Sequence, residues 1–367
     1  MAIKATLRAV GVMVLALGVL CGAAMYAGAA LDLWRVVMFT QEVDGNTDVY
    51  FADATGRVVN ITNTPEQDEN FPAWSPDGTR IVYTAITDGN QELFIMNASG
   101  REREQLTRTS ADHVTPVWSP DGSTIAYGFL TNPVLSQFDV FTFNLETGER
   151  RNFTEQSENL VLFGLFPQWS PTGEHLMFMD TTRTNVFITA LPYGEIVAQS
   201  PPGTSFPSWA PDGEAFAYVG PRDRFNRFAI DTIFVQPLDE NESTVPYVID
   251  LTGIRQPVFS PDGEQIVFIG EPLTGSMRSR NAPGTNLYLL ERDSGDITLL
   301  AEGGQNIASD SLAWSPDGAY VAYRYNDFSL NAGNATPHLC FVSPRSGRTH
   351  CLPGVEARDV SWQPDNL

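Results

Sequence analysis

Residues 72–107 read PAWSPDGTRIVYTAITDGNQELFIMNASGREREQLT, and this stretch decides the fold. Turn residues cut it into four short apolar segments. Pro72-Ala73-Trp74 runs into Ser75-Pro76-Asp77-Gly78, where proline presets φ and glycine accepts a positive one. Ile81 to Ala85 reads as a second strand, and Thr87-Asp88-Gly89-Asn90 as a hairpin turn. Glu92 to Asn97 follows as a third strand. Ala98-Ser99-Gly100 then leads into a fourth, ending Gln105-Leu106-Thr107.

The unit recurs along the chain. Its signature returns as PVWSPDG from Pro116, PQWSPTG from Pro167, PSWAPDG from Pro207, PVFSPDG from Pro257, LAWSPDG from Leu312 and VSWQPD from Val360. The aromatic positions are Trp74, Trp118, Trp169, Trp209, Phe259, Trp314 and Trp362, spaced 40 to 55 residues apart. That is the size of one four-stranded propeller blade. Such a unit buries its apolar faces only against its neighbours, so several copies must close into a ring.

The two termini supply that closure. Val360 to Asp365 is a first strand with nothing after it, and Arg35 to Thr40 is a second strand with no first strand before it. Asp48 to Phe51 and Val59 to Thr62 complete a blade taking one strand from the C-terminus and three from the N-terminus. The expectation is an all-β, seven-bladed propeller over residues 34–367, with six or eight blades as the alternatives.

Residues 1–33 read as an address. Lys4 and Arg8 precede an uncharged run of 23 residues, Ala9 to Leu31, long enough to cross a bilayer as a helix. The charge placement puts the N-terminus inside and the propeller outside the cytoplasm. The run is either an uncleaved single-pass anchor in the cytoplasmic membrane or a signal peptide cut after Ala27-Gly28-Ala29, which would leave a periplasmic or secreted domain. Lipoprotein processing at Cys21 fits less well, because bulky Leu20 precedes it.

Charge narrows the partners. With 22 Lys+Arg against 44 Asp+Glu, the formal net charge of −22 argues against non-specific nucleic-acid binding, which needs a cationic surface. No cofactor or metal is assigned. The histidines are His113, His175, His338 and His350, and no two have a helical metal-binding spacing.

The WSPDG hairpin, followed by Asp-Gly-Asn-x-Glu-Leu-Phe, x-Met-Asn-x-x-Gly and a terminal Leu-Thr, resembles the TolB-type propeller repeat. The resemblance covers roughly residues 35–367. The TolB protein itself carries an N-terminal α/β domain before a six-bladed ring. Here a hydrophobic segment and seven repeats stand instead, so a Tol–Pal role does not carry over. Similar propellers precede the hydrolase domain of prolyl peptidases, but no G-x-S-x-G elbow exists here and the chain stops at its closing strand.

The aspartates of the SPDG turns read as acceptors for the turn's own N–H groups. Cys340 and Cys351 flank a tight turn, and the register centred on it sets them opposite each other. In an exported domain the pair is expected to be a disulfide; two buried thiols are the alternative. The loops at one end of the ring form the candidate binding face. Arg222, Arg224, Arg227, Arg255, Arg278 and Arg280 come from two neighbouring blades, opposite Asp68, Glu69, Asp112 and His113. Such an arginine rim suits an anionic protein, peptide or glycan in the envelope; solvated arginines paired with nearby acids are the plainer reading. The resulting expectation is a non-catalytic scaffold binding at the top face and channel mouth. A carbohydrate hydrolase or lyase acting at the central channel is the alternative, and a purely structural envelope module is a third possibility.

Overall fold

The computed structural model describes residues 36–53, 55–154, 164–180, 184–192, 194–221, 231–272, 285–302, 307–327 and 336–364. The hydrophobic run at residues 9–31 lies outside them. Among the described residues no helix is long and apolar enough to cross a membrane.

The alternation of apolar residues within each repeat produces, among the described residues, 28 strands in seven four-stranded antiparallel sheets. Blades are numbered from 1 to 7 by their aromatic residue, from Trp74 to Trp362. The inner strands are Glu69–Trp74, His113–Trp118, Gly164–Trp169, Ser205–Trp209, Leu251–Phe259, Ile307–Trp314 and Arg358–Trp362, side by side around the axis. Blade 7 closes the ring. Its inner strand Arg358–Trp362 pairs with Val37–Val43, followed outward by Asn46–Ala52 and Val58–Asn60.

The core sits at the seams between blades. At the seam of blades 4 and 5, Ala217, Val219 and Ile233 pack with Ile254, Phe259, Ile266 and Phe268 in one buried cluster. Phe268, Ile266 and Ile233 are fully buried, each stabilising by roughly 1.5–3 kcal/mol.

Tryptophan at the signature position does more than fill space. The indole N–H of Trp118 donates to the carbonyl of Ala73, Trp209 to Gln168, Trp314 to Val258 and Trp362 to Ala313, at 3.0–3.2 Å. Each acceptor is the residue just before the aromatic position of the preceding blade, so the repeat stitches every such blade to its neighbour. The indole nitrogens of Trp74 and Trp169 have no partner.

The SPDG aspartates do the work expected of them. Ser75 Oγ donates to Asp77 Oδ1 at 2.6 Å, Thr79 N donates to the same oxygen at 3.0 Å, and Arg80 N donates to Ser75 Oγ at 2.9 Å. The arrangement repeats at Ser119 with Asp121, Ser260 with Asp262 and Ser315 with Asp317. The serine hydroxyl and backbone N–H groups hold Asp77, Asp121 and Asp262 below the usual carboxylate range.

Cys340 and Cys351 stand opposite each other in the outer hairpin of blade 6 and are joined, with Cα atoms 4.0 Å apart. The hairpin bond from Ser343 N to Arg348 O, three residues along, makes this a closely spaced non-hydrogen-bonded pair.

Candidate binding face and channel mouth

The top face is built by side chains that hold one blade's loops to the next. Asp68, in the connection entering blade 1, accepts the N–H of Thr47 at 2.8 Å. Asp112, entering blade 2, accepts that of Gln91 at 2.8 Å. Each carboxylate ties an entering connection to the second hairpin of the blade before it, which sets these loops at one end of the ring. A surface contact through either acid would have to use its remaining oxygen.

Glu69 and His113 begin the inner strands of blades 1 and 2, and both are buried, at 1% and 0% exposure. They occupy equivalent seats in two polar networks. In the first, Thr62 Oγ1 donates to Asp48 Oδ1 at 2.9 Å, Thr64 N does so at 3.0 Å, and the Thr64 hydroxyl bonds Glu69 Oε1. Burial pushes Glu69 up to about 7, against the Thr64 and Thr62 hydroxyls and with the help of nearby Asp48. For Asp48, burial is outweighed by donors on Thr64, Asn60 and Thr62, which hold it below its ordinary value.

In the second network, Thr107 Oγ1 donates to Glu92 Oε2 at 2.6 Å. His113 Nδ1 lies 3.0 Å from the Gln91 carbonyl and 3.5 Å from Glu92 Oε2. Burial lowers the His113 pKa despite those two acceptors, so the ring is neutral near pH 7. Here Thr107 replaces a backbone partner: its hydroxyl accepts Leu93 N at 2.9 Å, and the ladder assignment of the outer strand ends at Gln105. That is why the fourth strand stops short of the Leu-Thr ending seen in the sequence.

Of the arginine rim, Arg222, Arg224, Arg227, Arg278 and Arg280 lie outside the described residues. Arg255 is on the inner strand of blade 5, its Nη1 3.9 Å from Glu271 Oε1. Such a half-exposed pair contributes little to stability.

Sequence reasoning missed a ring of backbone distortions beside these seats. Three residues before the aromatic, the inner strand turns to positive φ: Phe71 (51°), Thr115 (50°), Phe166 (56°), Phe206 (54°), Gln256 (53°) and Asp359 (51°). Pairing with the second strand slips at each place, the mark of a bulge. None of the six is glycine, and a bulky residue there costs about 1–2 kcal/mol. Five precede a proline, at Pro72, Pro116, Pro167, Pro207 and Pro257, a context that favours extended backbone, so these residue types do not announce a positive φ.

The bulges re-aim side chains on the strands nearest the axis, close to the top rim. Phe166 and Phe206, on adjacent blades, are 48% and 37% exposed. Thr115 Oγ1 and Gln256 Oε1 carry no hydrogen-bond partner. Among the described residues no group of three or more His, Cys, Asp or Glu could hold a metal ion.

Seven four-stranded sheets around an axis, closed by strands from both ends of the chain, define a seven-bladed β-propeller. Residues 35–130 match the TolB beta propeller domain family. No curated protein matches the chain. The fold is similar to that of TolB from Acinetobacter baumannii, 17% identical with a TM-score of 0.55, over 91% of this chain and 68% of that one. A puromycin-hydrolyzing peptidase from Mycobacterium tuberculosis is 16% identical with a TM-score of 0.62, over 91% of this chain and 55% of that one. The beta-propeller domain of the Trilobed protease from Pyrococcus furiosus is 16% identical with a TM-score of 0.54, over 79% and 85% respectively. The likeness to these three is one of fold, and the chain spans little more than half of the peptidase.

Proposed function

We propose that this chain is an exported propeller that binds a partner at its top face and channel mouth and carries out no chemistry there. The observation that carries this reading is the ring of six strained, non-glycine bulges on the inner strands, which presents Phe166 and Phe206 to solvent. Backbone strain persists where surrounding structure enforces it, and such sites cluster where ligands are gripped. The Cys340–Cys351 disulfide fits an oxidising compartment. Two exposed phenylalanines on adjacent blades suit a protein segment bearing an apolar side chain.

A catalytic reading of Asp48 and Glu69 meets an obstacle in their burial, at 6% and 1% exposure, which leaves a substrate no access. The test is site-specific photo-crosslinking of the full-length protein in its own envelope. A crosslinker at Phe166 or Phe206 should give one discrete adduct, and a crosslinker at outer-strand Val197 should give none. Equal labelling from all three positions, or turnover in a screen of glycan and lactone substrates, would remove the scaffold reading.

A further inference from the structure

The polar seat that closes one blade onto the next is not the same at every seam. In blades 7, 1, 2 and 3 a threonine or serine hydroxyl accepts an N–H from the third strand: Val49, Leu93, Val140 and Val186, respectively. The residue before each of these is Asp48, Glu92, Asp139 and Asn185. Where it is Asp48 or Glu92, the carboxylate accepts a hydrogen bond from the hydroxyl and the seat is filled by acid, threonine and the next inner strand.

At the seam of blades 3 and 4 the acid is an amide, and the bonding runs differently. Asn185 Nδ2 donates to the Ser200 carbonyl at 3.0 Å. The Ser200 hydroxyl turns instead to Thr204 Oγ1, at 2.5 Å. Asn185 is 94% buried, since its exposure is 6%, yet its Oδ1 has no partner. A buried carbonyl oxygen without a donor costs roughly 1–3 kcal/mol, so a ligand that donates to it recovers that penalty.

Asn185 lines a cleft of about 720 Å³ between the two blades, with its Oδ1 buried beneath the wall. The opposite wall is aromatic: Tyr218 and Phe234 stack with centroids 5.3 Å apart and planes 19° from parallel. The remaining polar groups come from Gln199, Gln236 and Thr244, and among the described residues none that lines the cleft carries a charge. An apolar plate faced by amides and hydroxyls, with no ion, matches a ring that has C–H groups on its face and hydroxyls around its edge. A cleft of that size admits a ligand of two to three such rings, within the roughly 300–1,000 Å³ usual for small-molecule sites.

We propose that this inter-blade cleft is a binding site for a neutral oligosaccharide, with Asn185 Oδ1 accepting from a sugar hydroxyl and Phe234 carrying a pyranose face. A charged glycan is disfavoured, because among the described residues no cation lines the cleft to meet its carboxylate. The described lining of the cleft includes neither Phe166 nor Phe206, so the proposal stands or falls independently of the partner proposed at the channel mouth.

The test is saturation-transfer NMR with calorimetry on the full-length protein, using cellotetraose and maltotetraose as neutral probes and tetragalacturonate as the acidic control. The expected result is binding of at least one neutral probe, at least tenfold weaker in Phe234→Ala and in Gln236→Ala, and none of the acidic control. Leu299→Ala, on the outer strand of blade 5, should leave the affinity unchanged. Gln236 is partly exposed, so its variant tests the site even where Phe234→Ala destabilises the seam. No binding of either neutral probe, binding indifferent to both cleft variants, or preference for tetragalacturonate overturns the proposal.

Discussion

The carboxyl groups of Asp48 and Glu69 meet across the seam that closes the ring, with the Thr64 hydroxyl bonded to Glu69 and 3.5 Å from Asp48. One acid belongs to the blade made from both termini and the other opens blade 1. Two adjacent buried carboxyls cannot both ionise cheaply, so one keeps its proton. That makes the closing seam the part of the fold most sensitive to pH.

Glu69 sets the neutral limb of the stability profile. Its folded value of about 7 lies above the ordinary 4.5, so the native state holds a proton that the unfolded chain releases. The contribution is complete below pH 4.5 and is lost as pH rises towards 7. At about 1.4 kcal/mol per unit its ceiling is on the order of 3 kcal/mol. Urea unfolding at pH 5 and pH 8 should show greater stability at pH 5, and Glu69→Gln should flatten the difference by stabilising the protein at pH 8. An unchanged difference in the variant would assign the slope to another group.

The acid limb has the opposite sign. Asp48, Asp77, Asp121 and Asp262 all sit below their ordinary 3.8 in the folded state. Their contribution is present above 3.8 and disappears as pH falls through the folded values. Stability should therefore peak between the two windows, at about pH 4–5, in a series of melts at constant ionic strength. Replacing Asp77, Asp121 and Asp262 by asparagine should shrink the acid limb and leave the Glu69 limb in place.

The indole stitches predict an asymmetry between chemically identical substitutions. Trp314→Phe leaves the Val258 carbonyl without its donor, whereas Trp169→Phe removes an N–H that has no partner. The first should cost about 1–2 kcal/mol more than the second in chemical denaturation. Equal losses would mean that the aromatic position matters for ring volume alone.

How far the sequence led follows from which features repeat as residue types and which as geometry. The closing blade was legible because its four strands keep the hydrophobic pattern of the other six, so the missing first strand could be sought at Trp362. The register that sets Cys340 opposite Cys351 was legible because a tight turn fixes pairing on both sides. The buried seats were not. Glu69, His113 and Gly164 open equivalent inner strands with an acid, an imidazole and no side chain, so no motif links them. Their polarity suggested exposed loop residues, and only packing shows that they face a seam. The positive φ at Phe166 and Phe206 was hidden for another reason: phenylalanine gives no local warning of a conformation usually left to glycine or asparagine.

The Cys340–Cys351 bond should contribute to stability through the unfolded chain. It closes a loop with a sequence separation of 11 residues, which in the chain-entropy account is worth on the order of 2–3 kcal/mol. The pair staples the outermost hairpin of blade 6, which the ring supports on one side only. Reduction should lower the unfolding midpoint while leaving the sheet signal in circular dichroism intact at room temperature. Global loss of structure on reduction would show that blade 6 cannot hold the ring without it.

The channel bulges predict that binding and stability part company. Asparagine tolerates positive φ better than phenylalanine does, because its short side chain can bond the local backbone. Phe166→Asn and Phe206→Asn remove two half-exposed rings and relieve backbone strain at φ 56° and 54°. The double variant should unfold within about 0.5 kcal/mol of the parent or be slightly more stable. The same variant should lose the channel-mouth crosslink, read from a crosslinker placed at Phe71, the equivalent position of blade 1. Loss of stability by several kcal/mol would identify the two rings as part of the core. A crosslink retained at full yield would place the partner elsewhere on the face.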